Sequence, residues 1–110
     1  MMSVARSLTK FSRQEIKFLF ENAKKFSSCS AFVLLRAQQQ TSLGRVLVVS
    51  PKKIGSAPTR NLLKRRVRDI FLHEKLYTKG FDWVLIARKQ ATVLSFTELQ
   101  KKLLTFFYTQ

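Results

Sequence analysis

The chain has 110 residues, 45% of them hydrophobic, which is enough for one compact domain with its own core and too few for two ordinary ones. Twenty-one Lys and Arg against six Asp and Glu leave a formal net charge of +15. Such an excess repels itself in a compact fold and points to a polyanionic partner, nucleic acid before a membrane surface. The single cysteine, Cys29, excludes an internal disulfide and a multi-cysteine zinc site, and no apolar run approaches the ~20 residues that a membrane-spanning helix requires.

Met1 to Phe11 lacks the apolar stretch of a secretory signal, so a cytoplasmic protein with no membrane partner is expected. Ser12-Arg13-Gln14-Glu15 has the spacing of a capping box, with Ser12 as the cap and Glu15 reaching back. A first helix from about Arg13 to Lys25 follows, because Ile16, Leu19, Phe20 and Ala23 recur at helical spacing while Phe18 falls off that stripe. Phe26 to Ser28 is a candidate short edge strand, and Cys29 is expected to pack as a small apolar side chain near a strand. Ser30 to Ala37 carries the apolar run Ala31-Phe32-Val33-Leu34-Leu35 and reads as a strand. The polar stretch Gln38 to Leu43, then Gly44, reads as a hairpin connection to a second strand, Arg45-Val46-Leu47-Val48-Val49.

Pro51 to Gly55 is a loop, and Ala57-Pro58 opens a long helix running to about Leu76, with proline tolerated in the first turn. Gly80 ends that region, and Asp82 to Arg88 is another buried strand. Ser95-Phe96-Thr97-Glu98 repeats the capping-box spacing before a final helix whose apolar face is Leu99, Leu103, Phe106 and Phe107. The order α-β-β-(β)-α-β-α implies an α/β sandwich with helices packed on a small mixed sheet, in a single domain spanning 1–110.

The chemistry concentrates in Arg60-Asn61-Leu62-Leu63-Lys64-Arg65-Arg66-Val67-Arg68-Asp69-Ile70-Phe71. At about 100° per residue, Leu63, Val67, Ile70 and Phe71 share one stripe. Arg60, Lys64 and Arg68 line the edge beside it, Asn61 and Arg65 continue around, and Arg66 falls on the other flank. Cations on a rigid helix meet several phosphates at once, and arginine adds planar, bidentate recognition. A merely solvated charged face would carry acidic partners at helical spacing, and only Asp69 and Glu74 are available.

At these residues the sequence resembles bacterial ribonuclease P proteins, whose motif Arg-Asn-Arg-x-Lys-Arg-x-x-Arg follows Lys-Lys-x-Gly. Here the two stand as Lys52-Lys53-Ile54-Gly55 and Arg60 to Arg68, and the resemblance runs from about Leu8 to Phe107. It departs from the pattern at Leu62, where the family usually has the third motif residue, Arg, and at Pro51 and Pro58 around the loop. The resemblance implies a two-layer α+β sandwich: a mainly antiparallel four-stranded sheet flanked by three helices, with a left-handed β-α-β crossover around the motif helix. It further implies an accessory protein subunit with no catalytic residue of its own, the catalytic centre lying in a large RNA that positions Mg2+. The implied partners are that ribonuclease P RNA and precursor tRNA, with no obligate protein partner. Lys52, Lys53, Arg60, Asn61, Lys64, Arg65 and Arg68 are the expected RNA contacts. Ile16, Phe20 and Leu35 align with the family's cleft for the single-stranded 5′ leader, although only Phe20 is aromatic; Phe18 is a possible stand-in, and core packing is the alternative for Phe20.

The remaining residues agree with that division of labour. Hydrolysis by protein groups needs clustered carboxylates for a metal or paired histidines for proton transfer. Glu15, Glu21, Asp69, Glu74, Asp82 and Glu98 are scattered without ligand-like spacing, and His73 is alone and reads as a solvated helix residue. A ribosomal protein would share the size and charge but would more often carry an extended basic tail. A helix-turn-helix DNA binder would need a second helix just before the basic one, where a strand and loop stand instead. A protein-only nuclease would cleave without added RNA.

Overall fold

The computed structural model describes residues 4–108; the expected domain limits, Met1 and Gln110, and the first three residues of the N-terminal stretch lie outside them. In chain order the elements are α1 (Val4–Ser7), α2 (Arg13–Asn22), β1 (Lys24–Ser28), β2 (Phe32–Gln38), β3 (Val46–Val49), α3 (Ala57–His73), β4 (Phe81–Ala87) and α4 (Phe96–Tyr108). The strands form one sheet in the order β1-β2-β4-β3. β1 with β2 and β2 with β4 are antiparallel, β3 with β4 is parallel, and α3 makes the crossover between the parallel pair.

Both capping boxes form. The Ser12 hydroxyl accepts from the Glu15 N–H at 3.1 Å while Glu15 accepts from the Ser12 N–H at 2.7 Å, and Ser95 and Glu98 repeat the exchange at 3.1 and 2.9 Å. Each box satisfies two of the N–H groups that a helix start leaves without partners. α2 stops at Asn22 rather than Lys25, because Lys24 and Lys25 pair instead with Arg36 and Leu35 as the start of β1. The candidate edge strand at Phe26 to Ser28 is thus confirmed and extended, with a bulge between Lys25 and Ser27. α3 stops at His73 rather than Leu76, because Lys75 takes a left-handed conformation (φ 54°) that turns the chain and drops Leu76 into the core.

The connection after β2 is not a hairpin. β4 lies between β2 and β3, so Gln38 to Gly44 must arch over the start of β4 to reach the far edge of the sheet. Two features hold this arch. Gly44 passes so close to β4 that a Cβ there would stand 2.4 Å from the Phe81 carbonyl oxygen, so only glycine fits. The second is Asp82, whose fully buried carboxylate accepts from the N–H of Arg45 (2.9 Å) and of Gln40 (3.2 Å) and from the Arg45 guanidinium (3.4 Å). Arg45 is itself only 5% exposed; it donates to the Lys10 carbonyl at 2.7 Å, pairs with Glu15 at 3.1 Å and sits 4.1 Å above the Phe11 ring.

The two faces of the sheet are covered unequally. Phe32, Leu34, Val46, Trp83 and Leu85 face α3 and α4, where Leu63, Val67, Ile70, Phe71, Leu99 and Leu103 complete the main core. Trp83 is ringed by Phe26, Phe81 and Phe107 at centroid distances of 4.7 to 5.7 Å. Cys29 packs against this core as a half-buried free thiol. On the opposite face α2 stands over a small cluster of Leu19, Ala37 and Val84. Of the four residues in the expected α2 stripe only Leu19 is buried, and Phe20 is 49% exposed, so Phe20 is not a core residue.

Removing one member of a buried ion pair strands the other in a poorly solvated interior. Asp82→Ala is expected to cost about 3–5 kcal/mol in urea unfolding, and Asp82→Leu combined with Arg45→Met much less than the sum of the single changes. The Glu15 carboxyl is held below its usual value of 4.5, first by the Ser12 N–H and then by Arg45. A carboxylate so lowered contributes stability above that usual value and loses it as pH falls through the lowered one. The melting temperature is therefore expected to fall below pH 4.5, and Glu15→Gln to flatten that acid limb.

Candidate nucleic-acid interface

Helix α3 begins at Ser56, whose hydroxyl accepts from the Thr59 N–H at 3.4 Å, with Pro58 inside the first turn. Leu63, Val67, Ile70 and Phe71 are all buried, so the stripe expected from periodicity is the face that seats the helix on the sheet. That seating fixes the azimuth of every cation. Lys64 and Arg65 are exposed and Arg68 half-exposed, and with Val46, Leu47 and Val48 they line a groove of about 270 Å³ beside the outer edge of β3. Arg68 is bonded to the neighbouring carboxylate of Asp69 at 3.2 and 3.3 Å. The pair is solvent-exposed, worth no more than ~1 kcal/mol, and opens readily toward a phosphate.

The other motif residues are divided between binding surface and scaffold. Asn61 is exposed on the outer side, while Arg60 folds back so that its Nε–H donates to the Gly55 carbonyl at 3.2 Å. Lys52 and Lys53 are exposed on a single 3-10 turn pinned by the buried Ile54. Arg66 lies on the opposite flank, as its azimuth requires, and donates to the Leu94 carbonyl at 3.0 Å, tying α3 to the start of α4. Leu62 is 40% exposed on the outer surface of the helix.

On the α2 face, Ile16 and Leu35 are half-buried and Phe20 is exposed. Phe18 is 47% exposed, so α2 presents two phenylalanines to solvent, one on each side of the buried Leu19. The sheet beside α2 is aliphatic and only partly covered: Val33, Ile86 and Val49 stand in register across three strands, and Leu35 and Leu47 flank Val84 in the next row. An uncovered apolar sheet face next to exposed aromatics is an interaction surface by composition.

Glu15 and Asp82 meet only across the Arg45 guanidinium, and among the described residues no three His, Cys, Asp or Glu side chains come together as they would around a metal ion. His73 is exposed in the last turn of α3. Two features escaped the reading of the sequence. One is the Arg45–Asp82–Glu15 network, whose members are far apart in the chain; Asp82 opening an otherwise apolar strand was its only trace. The other is Arg36, which alternation places on the core side of β2, a position where a cation needs an explanation.

A basic helix fastened by one face to a mixed sheet, with its cations along an outer strand edge, is the architecture of a nucleic-acid-binding α+β domain. The chain matches the family model described as Ribonuclease P over residues 3–109. It is 35% identical over 92 residues to the ribonuclease P protein component of Streptococcus pneumoniae (83% of this chain, 74% of the relative), and 30% identical to that of Streptococcus agalactiae (84% of each). The structure superposes on the RNase P protein of Thermotoga maritima with a TM-score of 0.77 at 30% identity, covering 93% of this chain and 96% of that one. The RNase P protein of Staphylococcus aureus shares the fold at 20% identity, TM-score 0.77, over 93% and 94% of the two chains. The chain belongs to the ribonuclease P protein family, and so is a protein subunit of that tRNA-processing ribonuclease.

By the motif resemblance Leu62 stands where the family usually has arginine, and its 40% exposure leaves room for one. Leu62→Arg is expected to leave the unfolding free energy within about 0.5 kcal/mol. In fluorescence-polarisation titrations the variant is expected to bind structured RNA more tightly and to steepen the salt dependence by about one phosphate contact.

Proposed function

We propose that this subunit docks on the ribonuclease P RNA through α3 and the turn before it, and guides the 5′ leader of precursor tRNA along the open face beside α2. The observation that carries the reading is the row Lys64, Arg65 and Arg68, held along the β3 edge by a helix whose opposite face is buried. Lys52, Lys53, Arg60 and Asn61 complete the docking surface, with Arg60 also bracing the turn through Gly55. The helix was ordered when the protein folded, so its cations meet phosphates without the ordering cost of a flexible tail.

The leader is single-stranded, and its exposed bases seek flat, apolar or aromatic surfaces. Phe20, Ile16 and Leu35 supply these in the proposal, with Phe18 as a second exposed ring on the same helix. Mature tRNA lacks the leader, so contacts there favour substrate over product. Chemistry is assigned to the RNA, together with the Mg2+ of the holoenzyme; the described residues bring together no cluster of three metal-ligating side chains, and the sequence has a single histidine. The protein then contributes affinity and orientation in the cytoplasm, and no catalytic residue.

Reconstitution tests the proposal. Protein, a bacterial ribonuclease P RNA and a precursor tRNA are combined at low magnesium, and each component is assayed alone. Cleavage at the mature 5′ end that requires the RNA and is accelerated by the protein is the expected result. Lys64→Ala with Arg65→Ala should weaken RNA binding and lower the log–log salt slope by roughly 1.5–2. An unchanged slope would remove α3 from the docking surface. Structured-RNA binding without any effect on cleavage would turn the reading toward a ribosomal role.

A further inference from the structure

Arg36 projects from β2 onto the core side of the sheet, in register with Trp83. Its guanidinium carbon lies 4.4 Å from the ring centre of Phe26, 4.1 Å from that of Phe81 and 5.9 Å from that of Trp83. Three rings thus hold one cation in place, an arrangement that favours arginine over lysine. Among the described residues Arg36 has no hydrogen-bond acceptor and no carboxylate partner; the three ion pairs there involve Arg45 and Arg68 instead. Its five N–H donors are therefore unused by the protein.

Two grooves meet at this side chain. One, of about 510 Å³, is lined by Lys24, Lys25, Phe26, Arg36, Gln38 and Phe81, among others. The second, of about 250 Å³, shares Phe26, Arg36 and Phe81 and adds Lys79 and Trp83. The Trp83 Nε1–H, buried beneath them, also has no hydrogen-bond partner. Lys24, Lys25 and Lys79 are exposed, and none is in an ion pair. Four cations surround a cleft that no carboxylate among the described residues neutralises.

We infer that this cleft is a second RNA contact, in which Arg36 grips a backbone phosphate and Lys24, Lys25 and Lys79 neutralise its neighbours. A guanidinium whose rotamer was already restricted on folding loses little further freedom when its planar fork meets two phosphate oxygens. RNA rather than an acidic protein is the partner because of exposed aromatic surface within reach of the same cations. Tyr108 is 62% exposed with the Lys79 ammonium 5.2 Å from its ring centre, and Phe81 is half-buried at the mouth, so bases have faces on which to stack. The site is separate from the α3 groove. That groove borders β3, at one edge of the sheet, whereas Arg36 stands on β2, two strand spacings or roughly 10 Å away, with its grooves opening toward β1 at the other edge. The inference rests on the ribonuclease P reading for its RNA partner, though not on α3 being the docking face.

The test is polarisation titration of the full chain against a bacterial ribonuclease P RNA over a range of salt, with a thermal melt of each variant. Arg36→Met keeps an apolar stem among the rings, and Lys24→Gln with Lys79→Gln removes charge without touching the core. Arg36→Met is expected to weaken binding ~10-fold and to lower the log–log salt slope by about 0.7–0.9, one phosphate. The lysine double variant should lower the slope further with its melt unchanged, and Arg36→Lys should recover little of the affinity. Both effects should multiply with those of Lys64→Ala and Arg65→Ala. A weakened melt for Arg36→Met, with the lysine double variant at wild-type affinity and slope, would make Arg36 a structural cap on the aromatic cluster and overturn the inference. Loss with the Arg36 and lysine variants but none with the α3 double variant would uphold this site while removing α3 from the interface.

Discussion

Everything about how the sheet is assembled depends on one buried ion pair. Arg45 and Asp82 are almost wholly shielded from water, and a charge in that setting is sustained by an opposite charge together with hydrogen bonds. Asp82 obtains these from the arch over β4, and Arg45 from Asp82, Glu15 and the Lys10 carbonyl. The pair therefore ties the start of β4, the start of β3, the first turn of α2 and the segment before it to a single point. It also holds β3 parallel to β4 at the outer edge, where a return helix must cross back over the sheet.

The functional surfaces follow from that placement. With β3 at the edge, α3 packs its apolar stripe on the core side and its neighbouring cations come to lie along the outer edge of that strand, where the Val46 N–H bonds the Leu8 carbonyl. The main core, with Trp83 and its ring of phenylalanines, takes up both long helices. That leaves α2 by itself on the other face, too narrow to cover four strands. Exposed phenylalanines and half-covered valines forgo burial that is worth roughly 25 cal/mol per Å². A fold that leaves them open beside a basic helix keeps an apolar surface and a cationic surface on one small body, the combination that single-stranded RNA requires.

A net +15 destabilises any compact state, and clustering the cations makes their mutual repulsion worse. The structure pairs few of them: Arg45 is neutralised inside, Arg68 by its neighbour, and Arg66 and Arg88 donate to backbone carbonyls. Exposed lysines such as Lys52, Lys53 and Lys64 carry no ion pair among the described residues, and the rigid core bears the cost of their repulsion.

Much of this was legible in the chain itself, where the physics is local. Capping boxes at Ser12 and Ser95, the stripe through Leu63, Val67, Ile70 and Phe71, and the cations beside it depend on neighbours three or four residues away, so spacing alone determines them. The resemblance in the same residues determined the family. What the sequence could not decide was every question settled by partners distant in the chain. Gln38 to Gly44 looks like a hairpin because turn composition carries no record of β4, which arrives some forty residues later and takes the place between β2 and β3. Phe20 shares a stripe with Leu19, yet burial depends on how wide a sheet lies below, and α2 meets too little of it. Arg36 and Asp82 were single charges on apolar strands until the register set one against three aromatic rings and the other against Arg45. Local periodicity determined the elements and their chemistry; only tertiary contact, where a buried charge must find its partner, decided which surfaces stayed open.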